Sequence, residues 1–93
     1  MRIRWTEKAA RNLDGIEAYI SRDSPGAALR TILDIIHAVE QLKTFPALGR
    51  VGRVEGTREL VIPGKTYIVP YRVKENYIEI LRVFHTSKKL EEK

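Results

Sequence analysis

Arg22-Asp23-Ser24-Pro25 is the stretch on which the fold turns, because it separates two long apolar periodicities. Behind it, Ala9, Leu13, Ile16 and Ile20 recur at spacings of four, three and four, which places them on one helical face. Arg11, Asp14 and Glu17 fall elsewhere, so this first helix is amphipathic. Ahead of it, Leu29, Ile32, Leu33, Ile36, Val39 and Leu42 form a wide apolar face, with Arg30, Asp34, His37 and Gln41 as a polar stripe. Ser24 is a good N-cap and Pro25 suits the first helical position, where its missing N–H costs nothing. A connection this short makes the two helices an antiparallel hairpin.

Moving outward, Arg2-Ile3-Arg4-Trp5 alternates polar and apolar residues as a half-buried strand does. Thr6 then serves as the N-cap of the first helix, with Glu7 placed to complement its dipole. Gly15 weakens that helix by up to ~1 kcal/mol relative to Ala and leaves room for a close neighbour. Pro46, after Phe45, ends the second helical element. Residues 49–56 have no helical period. Leu60-Val61-Ile62 reads as a short strand and Pro63-Gly64 as a turn. Tyr67 to Val73 is β-rich, with Tyr67, Val69, Tyr71 and Val73 on one face. Pro70 donates no ladder hydrogen bond, so that strand needs a bulge or an unpaired position. Lys74-Glu75-Asn76 turns the chain into a last strand, Tyr77 to Phe84, apolar on both sides and therefore central. The expected architecture is α+β in the order β-α-α-β-β-β: an N-terminal strand, then an antiparallel helical hairpin packed on a small antiparallel sheet.

Composition narrows the functional classes. The 93 residues, 43% hydrophobic and 31% charged, amount to a single globular domain over residues 1–93. The absence of cysteine removes disulfides, thiolate nucleophiles and Cys-based metal sites. No apolar run approaches the ~20 residues of a membrane span, and the strand-like N-terminus has no signal-peptide core. A cytoplasmic protein without a membrane role is the simplest expectation. Only His37 and His85 are available as nitrogen ligands, with no metal-binding spacing, and no phosphate-binding loop motif occurs. No metal or other cofactor is expected.

Charge is unevenly distributed. Residues 1–49 carry seven bases and six acids, whereas residues 50–89 carry nine against four. A basic half of this kind is the footprint of a polyanionic partner, or simply a solvated surface. His85 is the titratable group of interest. With Arg82 close by in sequence and Arg58 as a further cation, it has the composition for acid–base work on a phosphodiester. It also fits a strand-end histidine that hydrogen-bonds the backbone, the more ordinary role for such a residue. Arg72, Lys65, Lys88 and Lys89 extend the candidate cationic surface for a target or polyanion.

Taken together, these residues carry a family likeness. Leu13-Asp14-Gly15-Ile16-Glu17-Ala18-Tyr19-Ile20, then Phe45-Pro46-Ala47-Leu48-Gly49-Arg50, resemble the first half of toxins of the RelE/ParE superfamily. Thr57-Arg58-Glu59-Leu60-Val61, Tyr67-Ile68-Val69-Pro70-Tyr71-Arg72-Val73 and Ile80-Leu81-Arg82-Val83-Phe84-His85 complete the pattern in order. The resemblance spans nearly the whole chain. It implies the toxin of a type II toxin–antitoxin module, a plasmid-stabilisation or addiction device that arrests growth and is neutralised by a cognate antitoxin wrapped over it. The RelE branch is a metal-free mRNA endonuclease on the ribosome; the ParE branch poisons DNA gyrase. Positions that carry catalytic cations in the RelE branch are here Glu59, Val61, Ile68 and Ser87, with Lys88 and Lys89 near the last. Because Val61 and Ile68 cannot stabilise a developing negative charge, the resemblance is closer to ParE.

Overall fold

The computed structural model describes residues 1–64 and 66–87. Its elements are β1 (Arg2–Trp5), α1 (Glu7–Ser21), α2 (Pro25–Glu40) with a short 3₁₀ turn at Gln41–Lys43, β2 (Arg50–Val51), β3 (Arg58–Val61), β4 (Tyr67–Val73), β5 (Tyr77–Ile80) and β6 (Phe84–His85). Both helix starts follow from local chemistry. The Thr6 hydroxyl accepts from Ala9 N at 3.1 Å, and the Ser24 hydroxyl accepts from Ala27 N at 3.1 Å, with Pro25 opening α2. Each cap satisfies one of the amides a helix leaves unpaired at its start.

The sheet runs β1-β5-β4-β3-β2, with β6 also paired to β4. It is mixed: β1 lies parallel to β5, Arg2 opposite Tyr77 and Trp5 opposite Ile80, while the other pairings are antiparallel. Thr6 couples this junction to α1, since its amide and its hydroxyl both donate to Ile80 O, at 3.1 and 2.8 Å.

Pro70 requires a bulge, and the strand opposite supplies it. Between the pairs Tyr71–Ile80 and Ile68–Phe84, β4 has two residues and the facing chain has three, Leu81 to Val83. That extra residue breaks the expected single last strand into β5 and β6. Pro70 still contributes its carbonyl, which accepts from Leu81 N at 2.9 Å. The Val83 amide donates instead to Asn12 Oδ1 of α1 at 3.0 Å, so the bulge is stitched to the helical layer.

One face of the sheet carries the helical hairpin. Ile35, Val39 and Leu42 pack with Ala9, Leu60, Ile62, Val69, Tyr71, Ile78, Ile80 and Val83, while Ile3, Trp5, Leu13 and Ile16 border them. Each fully buried aliphatic side chain contributes about 1.5–3 kcal/mol. Helix α2 is rotated from the face expected from periodicity: Ala28, Thr31, Ile35 and Val39 are buried, whereas Leu29 and Leu33 are 59% and 42% exposed. Gly15 also departs from expectation, since a Cβ there meets nothing within 4 Å.

Candidate functional site: two ends of one sheet

The sequence-derived residues separate into two groups. His85 lies opposite Tyr67 at one end of β4, and Arg58 lies opposite Tyr71 four residues further along. At 3.3–3.4 Å per residue that is about 13 Å along the strand. Lys65, Lys88 and Lys89 lie outside the described residues.

At the first end, His85 has both ring nitrogens engaged. The Ser87 amide approaches Nδ1 at 3.1 Å, and an amide N–H can only donate, so Nδ1 is an acceptor. The ring proton is thereby assigned to Nε2, which lies 2.6 Å from Thr66 Oγ1. Ser87 Oγ is 2.7 Å from Nδ1, and the Tyr67 ring meets the imidazole edge-on at 5.3 Å between centroids. The histidine is therefore held by its strand-end neighbours, as the backbone-bonded reading anticipates. An open groove of about 520 Å³ adjoins it, lined by Asn12, Gly15, Ile16 and Tyr19 of α1 and by Tyr67, Phe84 and Ser87. Burial pushes the Tyr67 phenol above its usual 10.0, and nearby Tyr19 adds to the rise. Arg82, in the bulge, stacks its guanidinium over the Phe84 ring at 4.9 Å.

At the other end, side chains of β3 and β4 fasten the loop that joins α2 to the sheet. The Tyr71 hydroxyl donates to Pro46 O at 2.7 Å and accepts from Gly49 N at 2.8 Å. Burial raises the Tyr71 phenol above 10.0, and the Gly49 amide and the Arg58 guanidinium pull it partly back. Arg58 donates to Gly49 O at 2.7 Å, and Arg72 donates to Glu55 O at 3.3 Å. Glu59, only 8% exposed, accepts from Arg50 Nη2 at 3.0 Å and Nε at 3.2 Å, and its second oxygen takes the Arg53 amide at 3.2 Å. These contacts were not legible in the sequence, because a buried glutamate is recognised by its distant partners rather than by its neighbours along the chain.

Alternation along the strands places Glu59, Val61 and Ile68 together on the face opposite the helices. Val61 and Ile68 are direct cross-strand partners. Three of the four positions that carry catalytic cations in the RelE branch thus converge, but as an aliphatic pair beside a carboxylate already bound by Arg50, while the fourth, Ser87, lies against His85. Among the described residues, no group of three or more acidic or histidine side chains is placed to hold a metal ion. No helix among them is long and apolar enough to cross a membrane.

A helical hairpin on a mixed sheet, with a basic C-terminal half, is the architecture that the resemblance to RelE/ParE-superfamily toxins implies. Comparison with known proteins agrees. The sequence model of the ParE toxin of type II toxin–antitoxin systems matches residues 3–90. A Sinorhizobium fredii protein named "Putative toxin Y4kP" is 51% identical over 84 residues, covering 90% of this chain and 86% of the relative. Toxin RelE2 of Caulobacter vibrioides is 31% identical, covering 90% and 93%. Among solved structures, a chain of the chromosomal ParDE toxin–antitoxin system of Pseudomonas aeruginosa superposes with a TM-score of 0.83 at 35% identity, covering 91% of this chain and 95% of that one. A chain of the RelBE2 toxin–antitoxin complex of Mycobacterium tuberculosis gives 0.61 at 27% identity, covering 90% and 95%. The chain belongs to the ParE toxin family of type II toxin–antitoxin systems.

Proposed function

We propose that this toxin arrests bacterial growth by disabling DNA gyrase through protein contact, and that it acts in the cytoplasm until a cognate antitoxin neutralises it. The observation that carries this reading is the Val61–Ile68 pair beside the bound Glu59. Phosphodiester cleavage without a metal needs donors and cations aimed at the phosphate, and aliphatic side chains provide neither. His85, with Nδ1 accepting from the backbone and Nε2 at Thr66, takes no part in catalysis on this reading. The P. aeruginosa and M. tuberculosis relatives come from toxin–antitoxin systems, which supports an antitoxin partner here. The net charge of +5 suits an acidic antitoxin segment. Plasmid or chromosomal stabilisation is the corresponding biological role.

A second reading, a ribosome-dependent mRNA endonuclease, draws on the likeness to Toxin RelE2 and on His85 with Arg82 close by in sequence. In it, Arg58 and the lysines at 65, 88 and 89 would supply the missing positive charge. Pulse-labelling of DNA and protein synthesis just after induction of the toxin alone separates the two. Early loss of DNA synthesis, unchanged by His85→Ala, is the expected result. Early loss of translation, abolished by His85→Ala in a folded protein, would overturn the gyrase reading.

A further inference from the structure

We infer that the loop from Leu48 to Val54 is the surface by which the toxin grips its target protein, at an apolar patch bordered by carboxylates. The inference rests on the reading above, that the target is a protein. Three large aliphatic side chains stand out of this loop within seven residues: Leu48, Val51 and Val54 are 53%, 79% and 61% exposed. Isolated exposed aliphatics are ordinary on a protein surface. What distinguishes these is the investment in holding them still.

Both ends of the segment are tied down. Tyr71 and Arg58 hold Gly49 from either side, by its amide and its carbonyl. Glu59 holds Arg50 by its guanidinium and Arg53 by its amide. Gly52 N donates to Thr57 O at 2.8 Å, and the Thr57 hydroxyl and amide both donate to Val54 O, at 2.6 and 3.1 Å. Two glycines permit this closeness. A Cβ at Gly49 would lie 2.7 Å from the Tyr71 ring, and one at Gly52 would overlap the Thr57 hydroxyl. The loop has therefore surrendered its conformational entropy before any partner arrives.

Rigidity of this kind selects the occupant. A folded surface gains from meeting a preformed counterpart, whereas an antitoxin segment that wraps around a toxin adapts as it binds and needs no fixed knobs. Charge selects further. The Arg53 side chain is exposed, and Arg50, Arg58 and Arg72 lie around the loop against Glu55 and the bound Glu59. That excess of guanidinium groups favours a partner with carboxylates at its rim. Beside the loop, an open groove of about 350 Å³ between Ala38, Leu48, Val61 and Pro63 can receive an apolar side chain of the partner.

The test uses purified toxin, the gyrase holoenzyme in a supercoiling assay, and the cognate antitoxin in a binding titration. Val51→Ser with Val54→Ser, and separately Arg53→Glu, should each raise the toxin concentration for half-inhibition at least tenfold. Antitoxin affinity should stay within threefold, and circular dichroism and melting should match the parent. Leu29→Ser, an exposed change on α2, is the control and should inhibit normally. If the serine pair fails to fold, Arg53→Glu alone decides. Normal inhibition by the folded variants overturns the inference, as does loss of antitoxin binding with or without loss of inhibition. If the unmodified toxin leaves gyrase untouched, the gyrase reading itself has failed and takes this one with it.

Discussion

Replacing Tyr71 by Phe removes one oxygen atom and leaves the ring in the core. Its consequences are unusually well defined, because that oxygen makes two hydrogen bonds across more than twenty residues: it donates to Pro46 O at 2.7 Å and accepts from Gly49 N at 2.8 Å. The residue is fully buried. Without the hydroxyl, the buried Gly49 amide keeps no phenol to satisfy it, and its approach to the ring leaves little space for water. An orphaned buried amide costs about 1–3 kcal/mol, and the part-buried Pro46 carbonyl adds roughly 0.5–1 kcal/mol because water reaches it more easily. The sum is about 1.5–4 kcal/mol, which in a domain of this size lowers Tm by roughly 6–30 °C. Urea denaturation followed by circular dichroism, with m compared between the two proteins, measures it directly. A loss below about 0.5 kcal/mol at unchanged m would mean that the phenol does not fasten the loop, and the rigidity argued for residues 48–54 would fall with it.

Other perturbations probe the remaining parts of the architecture. Gly49→Ala forces a Cβ to 2.7 Å from the Tyr71 ring and 2.9 Å from Glu59 O, so it should cost about 1–3 kcal/mol in the same denaturation assay. Ile35→Ala, at a fully buried site, should cost about 2–5 kcal/mol, while Leu29→Ala should change stability by no more than about 0.5 kcal/mol. Equal losses would refute the observed rotation of α2. Thr6→Ala removes the cap of α1 and the hydroxyl bond to Ile80 O, with an expected loss of about 1–2 kcal/mol by thermal melting. Stability should also fall as pH rises past 10: the unfolded chain releases its tyrosine protons there, while burial keeps Tyr71 and Tyr67 protonated in the native state. Tyr71→Phe should flatten that alkaline decline, which a pH series of urea midpoints would reveal.

The readable parts of this fold were those governed by near neighbours. Thr6 and Ser24 announce helix starts because their acceptors lie three residues on. Pro70 announces a bulge because a missing N–H must be accommodated somewhere, although only the facing strand shows that the extra residue lies among Leu81 to Val83. The buried side of α2 was misjudged because this helix is apolar on more than one flank. Periodicity alone gives no preference between Leu29 with Leu33 and Thr31 with Ile35; packing against α1 and the sheet decides. The parallel placement of β1 and the two-residue strands β2 and β6 depend on partners far away in the chain. The same holds for the candidate site. Arg58 and His85 were visible as residue types, but one is engaged with a loop carbonyl and the other with Ser87 and Thr66, and these attachments are written in the tertiary structure.

The pairing of β1 with β5 sets an order of events during synthesis. Arg2–Trp5 has its partner at Tyr77–Ile80, and the Thr6 side chain and amide have their acceptors at Ile80 and Leu81. Until the ribosome has delivered those late residues, the first strand has no ladder to join and the start of α1 is half anchored. Contacts that span so much of the chain form late and slowly. A chain that ends before Tyr77 therefore leaves its opening strand with nowhere to dock.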